Sequence, residues 1–211
     1  TGILAGLVNG LCVAVLRFQP IVTTFATGII FAGVALWILP QAGGQVPAIV
    51  WRTYAGAVAG VPVVLWLLAA VLVFIAVFAR TRFHTALVAV GGNMQAAYQT
   101  KLPVTRIRIT SYVISGLFAA LAALALVGET ASGDPLLGGA FSLSSITAVV
   151  LGGTALAGGR GGALGSLFGA IILGLIANVI FFAQLPFEYQ NLAQGLVILL
   201  ALAGGVFVAR R

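Results

Sequence analysis

Charged residues are scarce in this chain. They make up 6% of its 211 residues, whereas a soluble domain typically carries about 25%. Hydrophobic residues account for 62%, and the mean hydropathy is +1.21. Such a composition cannot cover a water-facing surface. The sequence therefore predicts that the solvent of this protein is a lipid bilayer.

Groups that could carry chemistry are equally scarce. The chain has three acidic residues and one His. Acid–base catalysis needs titratable groups held together, and no nucleophile or metal-ligand spacing accompanies the nearby acids Glu129 and Asp134. The single lysine, Lys101, does not belong to a GxxxxGK[ST] phosphate loop. We therefore expect no catalytic site, metal or cofactor within this chain.

Long apolar runs dominate the sequence instead. A membrane helix needs about 20 apolar residues, and seven runs are candidates, some of them short: 1–16, 18–39, 62–79, 107–128, 141–158, 162–183 and 191–208. The run 141–158 opens with hydroxyls and contains paired glycines, so a broken or re-entrant helix is the alternative there. The predicted fold is an all-α polytopic transmembrane bundle of about six or seven segments, in a single domain over 1–211.

Basic residues lie mostly on one side of the predicted topology. If the chain alternates sides, one side carries Arg17, Arg80, Arg82, Lys101, Arg106, Arg108, Arg160, Arg210 and Arg211. Only Arg52 falls on the other, together with the three acids. Excess Lys and Arg mark the cytoplasmic side, so the basic loops and the C-terminus are predicted to be cytoplasmic. Membrane insertion selects this asymmetry, so the +7 net charge requires no nucleic acid partner.

Small residues recur at four-residue spacing along two predicted helices. Such faces allow helix backbones to approach closely in lipid, where no hydrophobic force drives helices together. They favour a compact bundle, and Asn178 has a second interpretation as a polar contact in a pathway. The stripes are Gly2, Gly6 and Gly10; Gly161, Gly165 and Gly169; and Ser166, Ala170, Gly174 and Asn178.

Neutral hydroxyl groups form two clusters that are candidates for a translocation pathway. One comprises Thr23, Thr24 and Thr27, and the other Ser142, Ser144 and Ser145, followed by Thr147. Hydroxyls suit a neutral polyhydroxy solute better than an ion. The alternative is that they bond the carbonyls of their own helices, as Ser and Thr commonly do.

One segment looks unlike the rest. In "GGNMQAAYQTKLPV", residues 91–104, two glycines allow a sharp turn, Asn93 is a good N-cap, and Pro103 ends a helix predicted over 94–102. Its apolar stripe consists of Met94, Ala97, Tyr98 and Leu102. A helix this short is unstable alone, so it should pack on the membrane domain, on a partner or on both. A plain connector is the alternative.

Three blocks carry a resemblance to a known family. They are "TGILAGLVNGLCVAVLRFQPIVTTFATGIIFAGVA", "AVGGNMQAAYQTKLPVTRIRITSYVISGLFAALAALAL" and "ITAVVLGGTALAGGRGGALGSLFGAIILG". Together they resemble the sugar-type permeases of bacterial ABC importers, in the ribose, galactose and galactofuranose group, and more distantly the branched-chain amino-acid permeases. The resemblance covers nearly the whole chain, which would form roughly the C-terminal two-thirds of a permease.

The resemblance implies a function and a set of partners. The chain would be the permease subunit that moves a monosaccharide across the bacterial inner membrane, paired with a second permease subunit and supplied by a periplasmic binding protein. A cytoplasmic ATPase dimer would bind ATP-Mg and drive it through a coupling helix in the loop 80–108. The coupling residues would be Gly92, Asn93, Met94, Ala96, Ala97, Tyr98 and Leu102.

The chain departs from the family pattern at three places. Met94 and Gln95 replace a usual Pro-Glu, Thr100 and Lys101 replace a small or aliphatic pair, and residues 142–146 replace an acid-rich "ELDAI". The last change removes carboxylates near a candidate pathway. The alternatives left open are an amino-acid or other small-solute permease of the same fold, and a membrane assembly protein that does not transport.

Overall fold

The computed structural model describes residues 1–44, 46–155 and 158–183, together with Tyr189, Leu192, Gly195 and Leu196. In this part of the chain the helices are α1 (Gly2–Ala14), α2 (Pro20–Ile38), α3 (Ala48–Ala55), α4 (Val63–Ala79), α5 (Arg82–Gly92), α6 (Met94–Gln99), α7 (Val104–Thr130), α8 (Leu137–Leu151) and α9 (Ala163–Phe182). A hairpin of two short strands, β1 (Ala57–Val58) and β2 (Val61–Pro62), precedes α4. The predicted all-α class is confirmed.

Each apolar run that lies in the described part forms a helix. Three helices are long and apolar enough to cross a bilayer: α2, α7 and α9. A fourth crossing is possible where α4 and α5 meet with a 74° bend, and α1 and α8 are shorter apolar helices. The helix α8 ends at Leu151, and the paired glycines Gly152 and Gly153 lie in a turn after it, so it is shorter than the predicted run 141–158. The predicted run 191–208 lies outside the described residues apart from three positions.

By contacts the chain divides into two compact units. The first contains Thr1–Leu87 and Met94–Gly138, and the second contains Val88–Asn93 and the described residues from Gly139 onward. Each unit is built around one close helix pair.

In the first unit that pair is α1 with α7. A Cβ added to Gly2 would meet Gly116, one added to Gly6 would meet the Tyr112 carbonyl, and one added to Gly10 would lie 3.1 Å from the Ile109 Cα. Along this contact the residue numbers increase in α1 and decrease in α7, so the two helices run antiparallel. The stripe Gly2, Gly6 and Gly10 is therefore a packing face, as predicted. The end of α1 that leads to Arg17 lies beside the α7 end that carries Arg106 and Arg108.

The opposite end of α7 meets α3 and the connection between α2 and α3. Gly43 and Gly133 exchange two backbone hydrogen bonds of 2.8 and 2.9 Å. A Cβ on Gly128 would lie 2.8 Å from the Tyr54 ring of α3. The connection 39–62 and the connection 131–136 therefore share one end of this unit, as the alternating topology requires. The sequence did not predict α3 or the hairpin.

In the second unit α8 packs on α9. A Cβ on Gly165 would overlap the Gly152 carbonyl, and one on Gly169 would overlap the Ala148 carbonyl. Gly161 faces Thr154 in the same way. Gly165 and Gly169 thus form a close helix contact, as predicted, while Gly161 lies in the connection before α9. The neighbouring stripe differs along its length, since Ser166 lies 3.3 Å from the Thr154 hydroxyl while Gly174 has open space around it.

Candidate functional site

The structure of residues 91–104, which we call the candidate docking segment, differs from the prediction made from the sequence. We expected a turn at Gly91 and Gly92 and a helix over 94–102. Instead α5 continues through Gly92, and Asn93 is the single non-helical residue before α6. Tertiary contacts around these glycines override their weak helix propensity. Asn93 donates its backbone N–H to the Ala89 carbonyl at 3.2 Å, so it closes α5.

The helix α6 also ends earlier than predicted. It stops at Gln99, and Lys101 adopts a left-handed conformation with φ 57°. The Leu102 N–H bonds back to the Ala97 carbonyl at 3.2 Å, which closes the helix in the manner of a left-handed C-terminal motif. Pro103 then precedes the first residue of α7. The segment is therefore a compact step between two longer helices.

The residues of the predicted apolar stripe differ in their burial. Ala97 is only 4% exposed, whereas Tyr98 is 76% exposed and Met94 is 50% exposed. Ala96 is exposed and Leu102 is half-buried. Since α6 contacts α7, Ala97 supports the segment from within this chain. Tyr98 and Met94 are the large exposed apolar side chains of α6.

Basic groups accompany the exposed face of α6. The Arg108 guanidinium donates a weak hydrogen bond to the Met94 sulfur at 3.8 Å. Lys101 and Arg106 are also exposed. A partner that covers Tyr98 would therefore meet positive charge beside it, and an acidic rim on that partner would be favoured.

The first hydroxyl cluster connects α2 with α1. Thr23 is 8% exposed and donates to the Gln19 carbonyl at 2.8 Å. Thr24 is half-buried and bonds only carbonyls of its own helix. Thr27 Oγ1 lies 2.5 Å from Asn9 Oδ1 and 3.0 Å from the Thr23 carbonyl. Asn9 was not predicted as part of this cluster, although a polar residue between Gly6 and Gly10 is a signal in the sequence.

The second hydroxyl cluster is mostly on the outside of α8. Ser142 and Ser145 are exposed, and Ser145 donates to the Ser142 carbonyl at 2.8 Å. Ser144 is half-buried. Thr147 is 2% exposed and bonds the Leu143 carbonyl at 2.9 Å, so it belongs to the packed face. The two candidate clusters lie in different compact units.

Asn178 is placed on the exposed side of α9. Its amide donates to the Gly174 carbonyl, one turn earlier, at 2.9 Å. The side chain is thus satisfied by its own helix and keeps its carbonyl oxygen available. Among the described residues no group of three or more His, Cys, Asp or Glu side chains could hold a metal ion.

Comparison with known proteins relates this chain to transport permeases. The ribose import permease protein RbsC of Bacillus subtilis is 33% identical over 201 residues, which cover 92% of this chain and 61% of the relative. The L-arabinose ABC transporter permease protein AraH of Azospirillum brasilense is 33% identical over 208 residues, with 95% and 61% covered. The autoinducer 2 import system permease protein LsrC of Escherichia coli is 32% identical over 203 residues, with 95% and 59% covered.

The chain spans about three-fifths of the length of these relatives. No solved structure matches it significantly. Residues 1–202 match a family described as the permease component of the branched-chain amino acid transport system. Together with the apolar helices, this match shows a multi-pass membrane protein. The chain belongs to the branched-chain amino acid transport system permease family.

Proposed function

We propose that this chain is the transmembrane permease subunit of an ATP-binding-cassette importer that moves a monosaccharide across the bacterial inner membrane. Relatives named for ribose and L-arabinose import support the sugar assignment. The family description names branched-chain amino acids, so an amino-acid or other small-solute permease is the second candidate.

The observation that carries the proposal is the exposed face of α6. Three helices of the described residues suit a bilayer by length and composition, whereas α6 is too short and too polar to cross one. It is held by a buried Ala97 and presents Tyr98 to the outside. An aromatic side chain on a short, supported helix is a typical anchor for a protein partner. We assign that partner as the cytoplasmic ATPase, which binds ATP-Mg itself.

The orientation follows from the basic residues. The loop 80–108 and the turn at Arg17 would face the cytoplasm, and the connections near Arg52 and Asp134 would face the periplasm. A periplasmic binding protein would then deliver the sugar to the side of Gly43 and Gly133. A second permease subunit, identical or related, would complete the pathway.

The pathway itself would use neutral hydrogen-bonding groups. Candidates are Thr23, Thr24, Thr27, Ser142, Ser144, Ser145 and Asn178. Sugars exchange hydrogen bonds with hydroxyls and amides at no cost in charge desolvation. The absence of carboxylates at 142–146 means that sugar contacts there would rest on serine hydroxyls.

Reconstitution tests the proposal. The complete permease that contains this chain would be co-purified with its ATPase, placed in proteoliposomes and supplied with its binding protein. We expect ATP-dependent uptake of ribose or arabinose and no uptake of leucine or isoleucine. Uptake of a branched-chain amino acid would establish the second candidate instead. A permease that binds no ATPase would be a non-transporting membrane assembly protein.

A further inference from the structure

Two glycine pairs bring distant parts of the second unit into backbone contact. Gly91 and Gly92 end α5, and Gly158 and Gly159 lie in the turn between α8 and α9. A Cβ on Gly158 would lie 2.7 Å from the Gly91 carbonyl oxygen, and one on Gly91 would lie 3.0 Å from the Gly159 nitrogen. A Cβ on Gly159 would overlap the Gly92 Cα. A side chain does not fit at Gly158 or Gly159, whereas a Cβ on Gly92 would lie 3.6 Å from the Gly159 Cα. We call this contact the glycine clasp.

The turn that provides one half of the clasp is itself constrained. Gly158 and Gly159 have φ of +89° and +75°, which only glycine adopts without strain. The Gly158 N–H bonds the Ala155 carbonyl, and the Ala155 N–H bonds the Arg160 carbonyl, both at 3.0 Å. Because α8 and α9 pack closely through Gly152 and Gly165, Gly158 and Gly159 lie beside a closely packed helix pair.

The other half of the clasp lies next to the docking segment. Only Asn93 separates Gly92 from the first residue of α6. A contact between side chains can absorb a displacement by changing rotamers, but a contact between backbones cannot. A movement of residues 91–93 would therefore displace the α8–α9 turn instead of being lost in the clasp.

We infer that Gly158 and Gly159 are positioning residues that transmit movement between the docking segment and the α8–α9 pair. This inference rests on the proposed function, in which an ATPase moves α6. It adds a defined route by which that movement reaches α8, the helix that carries Ser142 and Ser145. Neither glycine touches the ATPase or the solute in this account.

A matched pair of substitutions tests the clasp. Gly159→Ala adds a methyl group that overlaps Gly92 and strains a left-handed residue. Gly153→Ala strains a similar residue, with φ +80°, but its methyl group meets nothing within 4 Å. In the complete importer we expect Gly159→Ala to keep the ATPase bound while uptake per ATP hydrolysed falls about tenfold or more. Gly153→Ala should keep the parental ratio. Equal ratios in the two variants would overturn the inference.

Hydrogen exchange provides a readout that does not depend on transport. The Asn93 N–H is bonded to Ala89 at the end of α5, so loss of the clasp should expose it. In the purified complete permease, we expect amides 91–95 to exchange about tenfold faster in Gly159→Ala than in Gly153→Ala. Equal exchange rates in the two variants would show that the glycine clasp does not stabilise the amides of residues 91–95. A parent that transports nothing would refute the proposed function, while the exchange comparison would still decide the contact.

Discussion

Thr27 Oγ1 lies 2.5 Å from Asn9 Oδ1, in a hydrogen bond that joins α2 to α1. The same hydroxyl has the Thr23 carbonyl of its own helix within 3.0 Å. Thr27 can therefore keep a partner when Asn9 is removed. The pair stabilises the packing of two helices in a region that is otherwise apolar, and hydrogen bonds of this kind contribute about 0.5–2 kcal/mol within a membrane.

We predict that Asn9 and Thr27 are energetically coupled. Asn9→Leu and Thr27→Val should each lower the free energy of unfolding by about 0.5–2 kcal/mol, and the double variant should lose less than the sum. Unfolding of the complete permease in mixed micelles by SDS would measure this. Thr24→Val is the control, because Thr24 bonds only its own helix. Additive losses at Asn9 and Thr27 would mean that the bond stabilises nothing.

The glycine face of α9 yields a second prediction with an internal control. Gly165→Ala places a methyl group on the Gly152 carbonyl, whereas Gly174→Ala places one in open space on the same helix. Overpacking should cost Gly165→Ala about 1–3 kcal/mol. Gly174→Ala should be neutral or should gain up to about 1 kcal/mol from helix propensity.

Thermal stability in detergent would compare these two variants. The expected order is Gly174→Ala at or above the parent, and Gly165→Ala below it. If the two variants have the same melting temperature, the α8–α9 contact does not form.

Topology can be tested on the two ends of the first unit. Gln99 is the last residue of α6, and Ser132 lies in the connection that contains Gly133. In a permease without Cys12 or other cysteines, Gln99→Cys should react with a membrane-impermeant maleimide only from the cytoplasm. Ser132→Cys should react only from the periplasm, because nine of the ten basic residues lie on the Gln99 side of the predicted topology. Labelling of both positions from one side would contradict the alternating arrangement.

Hydropathy and periodicity predicted the membrane helices because a bilayer imposes a length and an apolar composition on every crossing. The runs 18–39 and 162–183 became α2 and α9 within two residues at either end. Short elements outside the membrane crossings were not predicted, because the bilayer does not constrain their length or composition. The helix α3 and the hairpin before α4 lie where no such constraint acts, and their stability comes from contacts such as Tyr54 on Gly128.

The sequence predicted where the candidate docking segment lies, but it did not predict which of its side chains are buried. A helical period shows that Met94, Ala97 and Tyr98 share a side of α6, and it does not show which of them the chain itself covers. Ala97 is covered and Tyr98 is not, a difference set by the position of α7. The continuation of α5 through Gly91 and Gly92 likewise depends on tertiary contact with residues 158 and 159, far along the chain.

Because Ala97 is buried and Tyr98 is exposed, substitution of Tyr98 is the better test of the proposed ATPase contact. Ala97→Glu would bury a charge within this chain, so loss of activity would report a folding defect at a cost of several kcal/mol. Tyr98 avoids this problem because 76% of its surface is exposed. Tyr98→Ala should leave the permease folded, as judged by its elution profile and melting temperature.

Co-purification of the ATPase with Tyr98→Ala tests the central claim most directly. The complete permease would carry an affinity tag, and ATPase recovery, uptake and binding-protein-stimulated ATP hydrolysis would be measured together. Gln95→Ala, an exposed polar neighbour on α6, is the matched control. If Tyr98 anchors the ATPase, its loss should weaken binding by about 2 kcal/mol or more, or roughly thirtyfold, with uptake falling in parallel. ATPase recovery and uptake equal to those of the parent and of Gln95→Ala would contradict the account, because α6 would then be only a connector.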